Sequence, residues 1–264
     1  MIRYNGKIVE QNHFPDGTLL IKQDPAENQL EFCYDEIHWF FENNEELVTL
    51  IYLTKHLRAN GIKDIALYMP YIPNARQDRV KNSEDVFTLK YFAEIINYLK
   101  FHTVYTLDPH SSVSEALIDN IAVRAPKFYI ETAMYKCNPD LLFFPDEGSV
   151  KRYSSIAEKE YAFGIKRRDW ATGKIEGLDV VGCVDKIKDS RILIIDDICS
   201  RGGTFYHSAK KLKELGAKEI YLYVTHCENT ILEGELLTSG LIEKVYTTNS
   251  IFTKKHEKIE VFKL

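Results

Sequence analysis

Residues 191–204, RILIIDDICSRGGT, constrain the fold more than any other stretch of the chain. The apolar, mostly β-branched run predicts a buried parallel strand. Two adjacent carboxylates, Asp196 and Asp197, follow at its carboxyl end. A turn over residues 202–204 then leads into a helix that we predict over residues 205–215. Because ligands of open α/β sheets bind where strands end and helices begin, the stretch predicts an α/β fold with a ligand site at this point.

The turn at residues 202–204 suits an anion. Paired glycines let backbone N–H groups approach a phosphate, and the helix N-terminus adds a favourable dipole. Asp196 and Asp197 can bind hydroxyl groups or a metal beside that anion, and a sugar phosphate carries both kinds of group. A strand, two acidic residues and a glycine turn also fit an ordinary strand-to-helix connection. The residues of this stretch alone leave both interpretations open.

The rest of the chain alternates strand-like and helix-like segments. Helices are predicted over residues 46–60 and 83–99, another ends near residue 161, and residues 169–177 are predicted to form a loop. Predicted strands cover residues 18–21, 29–33, 64–69, 103–107, 141–144, 162–165, 180–184, 219–225, 244–248 and 259–262. This alternation favours two similar domains, residues 1–125 and 126–264, each a mainly parallel sheet flanked by helices.

Composition excludes several classes of partner. The chain has 34 basic and 39 acidic residues and a net charge of −5, which offers no electrostatic attraction to nucleic acid or to an anionic membrane. No apolar run approaches the ~18 residues of a transmembrane helix, and the first residues lack a signal-peptide core. The five cysteines form no CxxC pair, so we expect reduced thiols and a cytoplasmic protein.

Four further strand ends carry polar clusters, and each has an ordinary alternative. Residues 76–79 offer two guanidiniums for phosphate oxygens, or form a salt-bridged surface loop. Asp108 and His110 suit a metal or a metal-bound water, although a single histidine more often caps or packs. Residues 146–149 suit a metal-bridged diphosphate, or a plain helix cap. Residues 166–168 form a surface patch, or a charge clamp for phosphoryl transfer.

Together these clusters resemble one family. PYIPNARQDRV, TLDPHSS, FFPDEGSVKR, IKRRD and LIIDDICSRGGT occur in the order found in phosphoribosyl-diphosphate synthetases, and HFPDGT resembles that family's nucleotide-contacting turn. The resemblance extends from about residue 13 to residue 249. It implies two domains of the type I phosphoribosyltransferase fold and a homo-oligomer, at least a dimer. It also implies transfer of the terminal diphosphate of ATP to O1 of ribose 5-phosphate with Mg²⁺, which releases AMP.

The resemblance also implies a role for each matched residue. The ribose 5-phosphate site would comprise Asp196, Asp197, Ser200, Arg201, Gly202, Gly203 and Thr204 in the C-terminal domain. ATP would be bound on the N-terminal side by Phe14, Asp16, Arg76, Gln77, Asp78 and His110, with Phe14 and Asp16 supplied by a neighbouring subunit. His110 and Asp146 would position the magnesium–nucleotide complex. Lys166 and Arg168 would close over the β-phosphorus as catalytic residues.

The chain departs from the family pattern at two places, and two rival functions remain open. Ser200 and Arg201 stand where the family usually has Asp-Thr, and Ser149 replaces a glycine of the diphosphate-side motif. One rival is a base-salvage phosphoribosyltransferase, which shares the glycine turn but lacks the Arg-Gln-Asp-Arg segment. The other is a non-catalytic regulatory homologue that binds active synthetases.

Overall fold

The computed structural model describes residues 1–25, 35–168 and 175–264, with the side chains of residues 166–168, 175 and 176 left aside. The chain divides into two compact units, Met1–Ala125 and Pro126–Leu264. Both units consist of a sheet with helices on it, as the alternating segments predict, so the α/β fold class with mainly parallel sheets is confirmed.

The first unit contains a six-stranded sheet and a separate hairpin. The sheet strands are β1 (Ile2–Tyr4), β2 (Lys7–Ile8), β5 (Asp35–Trp39), β6 (Ile65–Tyr68), β7 (Thr103–Leu107) and β8 (Ile121–Arg124), and the hairpin pairs β3 (Gln11–His13) with β4 (Leu19–Ile21). The helices are α1 (Glu45–Ala59), α2 (Thr88–Tyr98) and α3 (Val113–Leu117). Strands β5 to β8 are parallel neighbours in chain order, and β1 and β2 add an antiparallel edge.

The core of the first unit forms where helices cover one face of the sheet. Alternate strand residues such as Ile37 and Leu67 pack against Leu50 and Leu53 of α1 and Phe92 of α2. These side chains are almost fully buried, and each stabilises the unit by about 1.5–3 kcal/mol relative to exposure. The packing holds the ends of β6 and β7 in place, and the segments that follow these strands contain the Arg76 and His110 clusters.

The second unit is a doubly wound sheet of seven strands. They are β9 (Leu141–Phe144), β10 (Tyr161–Arg168), β11 (Ile175–Gly182), β12 (Arg191–Cys199), β13 (Glu219–Cys227), β14 (Lys244–Thr248) and β15 (Ile259–Phe262). Their order is β11-β10-β9-β12-β13-β14-β15, and all pairs are parallel except β10 with β11. The helices are α4 (Lys127–Cys137), α5 (Glu147–Ala157) and α6 (Gly203–Glu214). Side chains of α6 join one buried cluster and those of α4 and α5 join another, so the sheet has a core on each face.

Several predicted boundaries are wrong for local reasons. Strand β12 runs through Cys199, so Asp196 and Asp197 lie inside the strand and not after it. Helix α2 begins at Thr88, because the Asp85 carboxylate accepts the Lys81 and Asn82 amides and stabilises a turn before it. The predicted loop at 169–177 is partly strand, since β11 pairs with β10 from Ile175 onward. The predicted strand at 29–33 and residues 169–174 lie outside the described residues.

Candidate functional site

The second sheet reverses its winding between β9 and β12. From β9 the chain continues to β10 on one side, and from β12 it continues to β13 on the other. Loops that leave two such strands turn to opposite faces of the sheet and open a crevice at their carboxyl ends, where doubly wound folds bind ligands. Asp146 follows β9, and the glycine turn follows β12. The topology therefore brings the 146–149 cluster and the β12 end to the same edge of this unit.

The turn after β12 requires glycine at one position by conformation and at another by contact. Gly202 has φ 81°, in the left-handed region that side chains rarely adopt, and a Cβ there would also lie 3.0 Å from the Leu236 side chain. Gly234 approaches the Arg201 carbonyl so closely that an added Cβ would collide with it. Helix α6 begins at Gly203, and both Gly203 and Thr204 are exposed. The turn thus presents a helix N-terminus to solvent on a tightly held backbone.

Ser200 and Arg201, two of the residues that depart from the pattern of the resembled family, lie between the end of β12 and Gly202. The Arg201 guanidinium pairs with the Glu233 carboxylate at 3.1 Å, and both side chains are mostly exposed. An exposed ion pair of this kind is weak, about 0–1 kcal/mol. Arg201 can therefore leave Glu233 for a stronger anion at little cost. Ser200 is half-buried at the same turn.

The two aspartates of β12 have different surroundings. Asp197 is buried, and its Oδ2 accepts a hydrogen bond from the Arg152 guanidinium at 3.0 Å. Asp196 is less buried, and its Oδ1 accepts from the Ser149 hydroxyl at 2.8 Å and from the Asp197 amide at 3.0 Å. Burial raises the pKa of Asp196 to about 7, and the charge of Asp197 acts in the same direction. A hydroxyl or cation that binds Asp196 would favour its charged form.

Asp146 caps the first turn of α5. Its Oδ1 accepts from the Ser149 amide at 3.1 Å and lies 3.3 Å from the Ser149 hydroxyl. A carboxylate at this position also complements the helix dipole. Residues 146–149 therefore form a helix cap, as the alternative interpretation predicts, and Ser149 additionally links this cap to Asp196.

In the first unit, Asp78 is engaged by two neighbouring side chains. Arg79 donates two hydrogen bonds to its carboxylate, at 2.7 and 3.0 Å, and the Ser111 hydroxyl donates a third at 2.6 Å. The Arg79 hydrogen bond is the main reason that the pKa of Asp78 falls to about 2. The salt-bridged alternative therefore describes this pair well. It also ties the loop after β6 to the loop after β7.

The other polar residues of these two loops differ in exposure. Arg76, Gln77 and His110 are exposed, and Gln77 accepts a hydrogen bond from the Thr88 hydroxyl of α2 at 2.9 Å. Asp108 is buried with φ 45°, and its amide donates to the Arg124 carbonyl at 3.0 Å. A non-glycine residue with positive φ is a local strain, and such strain is common at functional sites.

The turn between β3 and β4 presents an aromatic ring to solvent. Phe14 is 49% exposed, and its backbone makes hydrogen bonds with Thr18 and Gly17 across the turn. Asp16 accepts hydrogen bonds from the Thr18 amide and hydroxyl, which lower the pKa of its carboxyl. The turn is thus internally braced while its ring remains available for contact.

The predicted catalytic residues lie at the carboxyl end of β10. Lys166 and Arg168 are among the last residues of β10 that pair with β11, and the register shifts between residues 167 and 168. Their side chains lie outside the described part of the chain, as do residues 169–174. Across the parts of the chain with described side chains, no three His, Cys, Asp or Glu groups cluster as a metal site.

Comparison with known proteins finds similar sequences and a similar fold. No protein-family model matches the chain. The ribose-phosphate pyrophosphokinase of Thermococcus kodakarensis is 28% identical over 252 residues, which cover 93% of this chain and 86% of the relative. The Campylobacter jejuni protein of the same name is 29% identical over 217 residues, 80% of this chain and 69% of the relative. The crystal structure of phosphoribosylpyrophosphate synthetase from Mycobacterium smegmatis matches 97% of this chain with a TM-score of 0.78 at 18% identity, and thus shares the fold.

The chain is thus similar to ribose-phosphate pyrophosphokinases over both of its units. These similarities confirm the resemblance that the five motifs indicated. The relatives are transferases by name, and their alignment spans both units of this chain.

The structure brings together one group of predicted residues. Asp196, Asp197 and the turn at 202–204 share the end of β12, and Asp146 joins them through Ser149. Gln77 and Asp78 share a loop that Ser111 ties to the His110 loop. Phe14 and Asp16 lie apart from these on the β3–β4 hairpin.

Sequence reasoning missed the residues that support these side chains. Ser149, Arg152, Ser111 and Gly234 hold carboxylates or the turn in place, and none of them is among the predicted site residues. Ser149 and Arg152 carried a readable signal, because they lie three residues apart and therefore share a helix face. Gly234 carried none, since its constraint comes from a carbonyl 33 residues earlier in the chain.

Proposed function

We propose that this protein is a ribose-phosphate diphosphokinase, which transfers the terminal diphosphate of ATP to O1 of ribose 5-phosphate and releases AMP. The observation that carries the proposal is the end of β12. Two carboxylates there precede a glycine-built helix N-terminus at the point where the sheet reverses its winding. Carboxylates bind sugar hydroxyls and a helix N-terminus binds a phosphate, so this end suits a sugar phosphate.

The acceptor side of the reaction belongs to the second unit in this proposal. Gly202, Gly203 and Thr204 would bind the 5-phosphate through backbone amides and a hydroxyl. Asp196 would bind the ribose hydroxyls together with Asp197. Arg201, released from Glu233, would add positive charge near the phosphate.

The donor side belongs to the first unit. Arg76 and Gln77 would contact ATP, and the exposed ring of Phe14 with Asp16 would complete an adenine site on a neighbouring subunit. Asp78 would act on ATP mainly by holding Arg79 and Ser111, because these side chains already occupy its oxygens. A homo-oligomer, at least a dimer, is part of this proposal.

A divalent metal, which we propose to be Mg²⁺, would be contacted by Asp146 and His110. Mg²⁺ at nucleotide sites takes phosphate and water oxygens with one or two carboxylates, which suits Asp146. Imidazole is a less typical partner, so His110 would act through a metal-bound water. When bound, the ion would neutralise phosphate charge.

The reaction itself asks little covalent chemistry of the protein. The O1 hydroxyl attacks the β-phosphorus of ATP and loses its proton to water. The bond from that phosphorus to the oxygen that bridges the α- and β-phosphates breaks, and AMP leaves with that oxygen. Positioning and charge neutralisation supply most of the rate enhancement in such transfers. Lys166 and Arg168 are proposed to neutralise the charge that develops around the β-phosphorus.

Incubation of the purified chain with ATP, Mg²⁺ and ribose 5-phosphate tests the proposal. We expect AMP and phosphoribosyl diphosphate in equal amounts, and no AMP when ribose replaces ribose 5-phosphate. Nucleotide formed from a purine base and phosphoribosyl diphosphate, without AMP from ATP, would instead identify a salvage transferase. AMP formed only after an active synthetase is added would identify a regulatory homologue.

In the described ranges 1–25, 35–168 and 175–264, no helix is long and apolar enough to cross a membrane. A cytoplasmic location, expected from the unpaired cysteines, remains a prediction. Fractionation of the source cells would test it.

A further inference from the structure

The N-terminal turn of α5 contacts Asp196 through one side chain. Ser149 is 3% exposed, and its hydroxyl lies 2.8 Å from Asp196 Oδ1 and 3.3 Å from Asp146 Oδ1. A hydroxyl has a single proton, so the shorter distance identifies Asp196 as its acceptor. The Ser149 amide meanwhile donates to Asp146 at 3.1 Å. One residue of α5 therefore bonds to a carboxylate on each of two strand ends.

The next turn of α5 contacts Asp197. Arg152 lies three residues after Ser149, on the same face of the helix, and its guanidinium donates to Asp197 Oδ2 at 3.0 Å. Asp197 is buried, so a charged partner compensates for much of the cost of its desolvation. Thus α5 holds both aspartates of β12, and it holds them with groups of different charge.

One carboxylate oxygen of Asp196, Oδ2, remains for a ligand. The two known partners of Asp196, Ser149 and the Asp197 amide, both bind Oδ1. Among the described residues, Oδ2 of Asp196 has no hydrogen-bond donor. Since a bond to Oδ1 fixes the plane of the carboxylate, it also fixes the direction of Oδ2.

We propose that Ser149, supported by Arg152, is a positioning residue that holds Asp196 in the orientation that binds the acceptor sugar. The proposal rests on the proposed function, in which Asp196 binds the ribose hydroxyls of ribose 5-phosphate. Ser149 touches the aspartate and not the sugar, so its removal acts on sugar affinity through Asp196. ATP binding does not depend on the Ser149 hydroxyl, because most of its proposed contacts lie in the first unit and the Ser149 amide still holds Asp146, the proposed metal contact.

Calorimetric titration of the purified chain with ribose 5-phosphate, and separately with ATP and Mg²⁺, tests the proposal. Loss of a hydrogen bond to a charged group predicts that Ser149→Ala weakens ribose 5-phosphate binding by about 10-fold or more. The Kd for ATP should change less than about 2-fold. Ser155→Ala is the matched control, because it makes the same substitution at an exposed position of α5 and should leave both affinities unchanged.

A double variant separates positioning from general damage to the fold. If Ser149 acts through Asp196, then Ser149→Ala combined with Asp196→Asn should bind ribose 5-phosphate no more weakly than Asp196→Asn alone. Additive losses, or an unchanged sugar affinity in Ser149→Ala, would overturn the proposal. Thermal unfolding of each variant shows whether it is folded, and Ser149→Thr, which keeps the hydroxyl, provides a second test by restoring affinity.

The binding titrations distinguish this proposal from the proposed function. If the unmodified chain binds ribose 5-phosphate but forms no AMP, the diphosphokinase proposal fails while the comparison of variants still decides the role of Ser149. If the unmodified chain binds no ribose 5-phosphate, both proposals are overturned. Equal weakening of sugar and ATP binding in Ser149→Ala would contradict positioning alone.

Discussion

At the scale of single residues, the two aspartates of β12 show how adjacent carboxylates acquire different properties. Asp197 is compensated by the Arg152 guanidinium, whereas Asp196 has a neutral hydroxyl and an amide as partners. Burial and the nearby charge therefore raise the pKa of Asp196, and its ionisation costs the folded chain free energy in the absence of ligand. A ligand that binds the charged carboxylate recovers part of this cost.

The pH dependence of stability tests this view of Asp196. Its carboxyl ionises near pH 3.8 when unfolded and near pH 7 when folded, so its contribution to stability falls as pH rises through that interval. Asp196→Asn removes the effect and keeps an oxygen for Ser149. We expect the ligand-free variant to have a Tm equal to that of the unmodified chain near pH 3.5, and at least about 2 °C higher at pH 8.

Differential scanning calorimetry across pH 3.5–8 provides the measurement. Asp185→Asn, at an exposed aspartate of the same unit, should shift Tm by the same small amount at every pH. A difference between Asp196→Asn and the unmodified chain that does not grow with pH would show that Asp196 ionises as easily folded as unfolded.

A second prediction at this scale concerns the role of Lys166 in catalysis. If it neutralises charge that develops only during diphosphoryl transfer, Lys166→Ala should lower kcat by about 100-fold or more, while the Kd for ribose 5-phosphate changes less than 2-fold. Steady-state AMP formation and calorimetry supply the two numbers. Lys186→Ala removes an exposed lysine of the same unit that pairs with Glu160, and it should alter neither quantity. A Lys166→Ala variant with normal kcat would remove Lys166 from the mechanism.

At the scale of elements, the turn after β12 and helix α5 are held by contacts from distant segments. The turn is fixed by the left-handed backbone of Gly202 and by the close approach of Gly234 to the Arg201 carbonyl. Helix α5 bonds to β12 through Ser149 and Arg152. The turn proposed to bind the phosphate and the aspartates proposed to bind the sugar hydroxyls are thus positioned by regular elements, as a binding site requires.

Gly234→Ala tests whether the contact with the Arg201 carbonyl positions the turn after β12. Its backbone has φ −93°, which any residue adopts, so only the contact with Arg201 requires glycine. An added methyl must displace the turn, and we expect a loss of about 1–3 kcal/mol in stability together with weaker ribose 5-phosphate binding. Gly240→Ala is the control, because its φ of 73° costs stability without any contact nearby. Weakened stability with unchanged sugar affinity would show that the turn is not part of the site.

At the scale of the whole molecule, the chain pairs one sheet wound in a single direction with one wound in two. In the first unit, the described helices that join β5, β6 and β7 pack on one face, and the other face has a stack of His38, Tyr68 and Tyr105 rings with Arg124 beside it. In the second unit, helices cover both faces. Both units therefore consist of a mainly parallel sheet with helices, but they differ in strand order and in the number of sheet faces that helices cover.

Self-association is the prediction at this scale. Because Phe14 and Asp16 are proposed to complete the adenine site of a neighbouring subunit, the chain should sediment as at least a dimer of 30.6 kDa subunits. Phe14→Ala should then weaken ATP binding without changing the mass. A monomer that retains full diphosphokinase activity would contradict the shared site. Sedimentation velocity at the assay concentration gives the mass.

The sequence predicted the regular parts of this structure because their signals are local. The apolar run before Asp196 and the glycines after it are enough to predict a strand, a turn and a helix. The Ser149–Asp196 bond joins residues 47 positions apart, so it depends on β9 lying beside β12, which no local pattern specifies. The Arg79–Asp78 pair was recognisable as the ordinary alternative, but its link to Ser111 depends on the order of β6 and β7.

The contact between Gly234 and the Arg201 carbonyl has a consequence for protein engineering. Residues 191–204 look like a portable module, since the strand, carboxylates and glycine turn are contiguous. A graft of that module into another α/β sheet would nevertheless fail unless the recipient also offered a residue without a side chain at the position of Gly234. The smallest transferable piece of this site is therefore a discontinuous one, with β12, the turn, the first turns of α5 and the segment around Gly234.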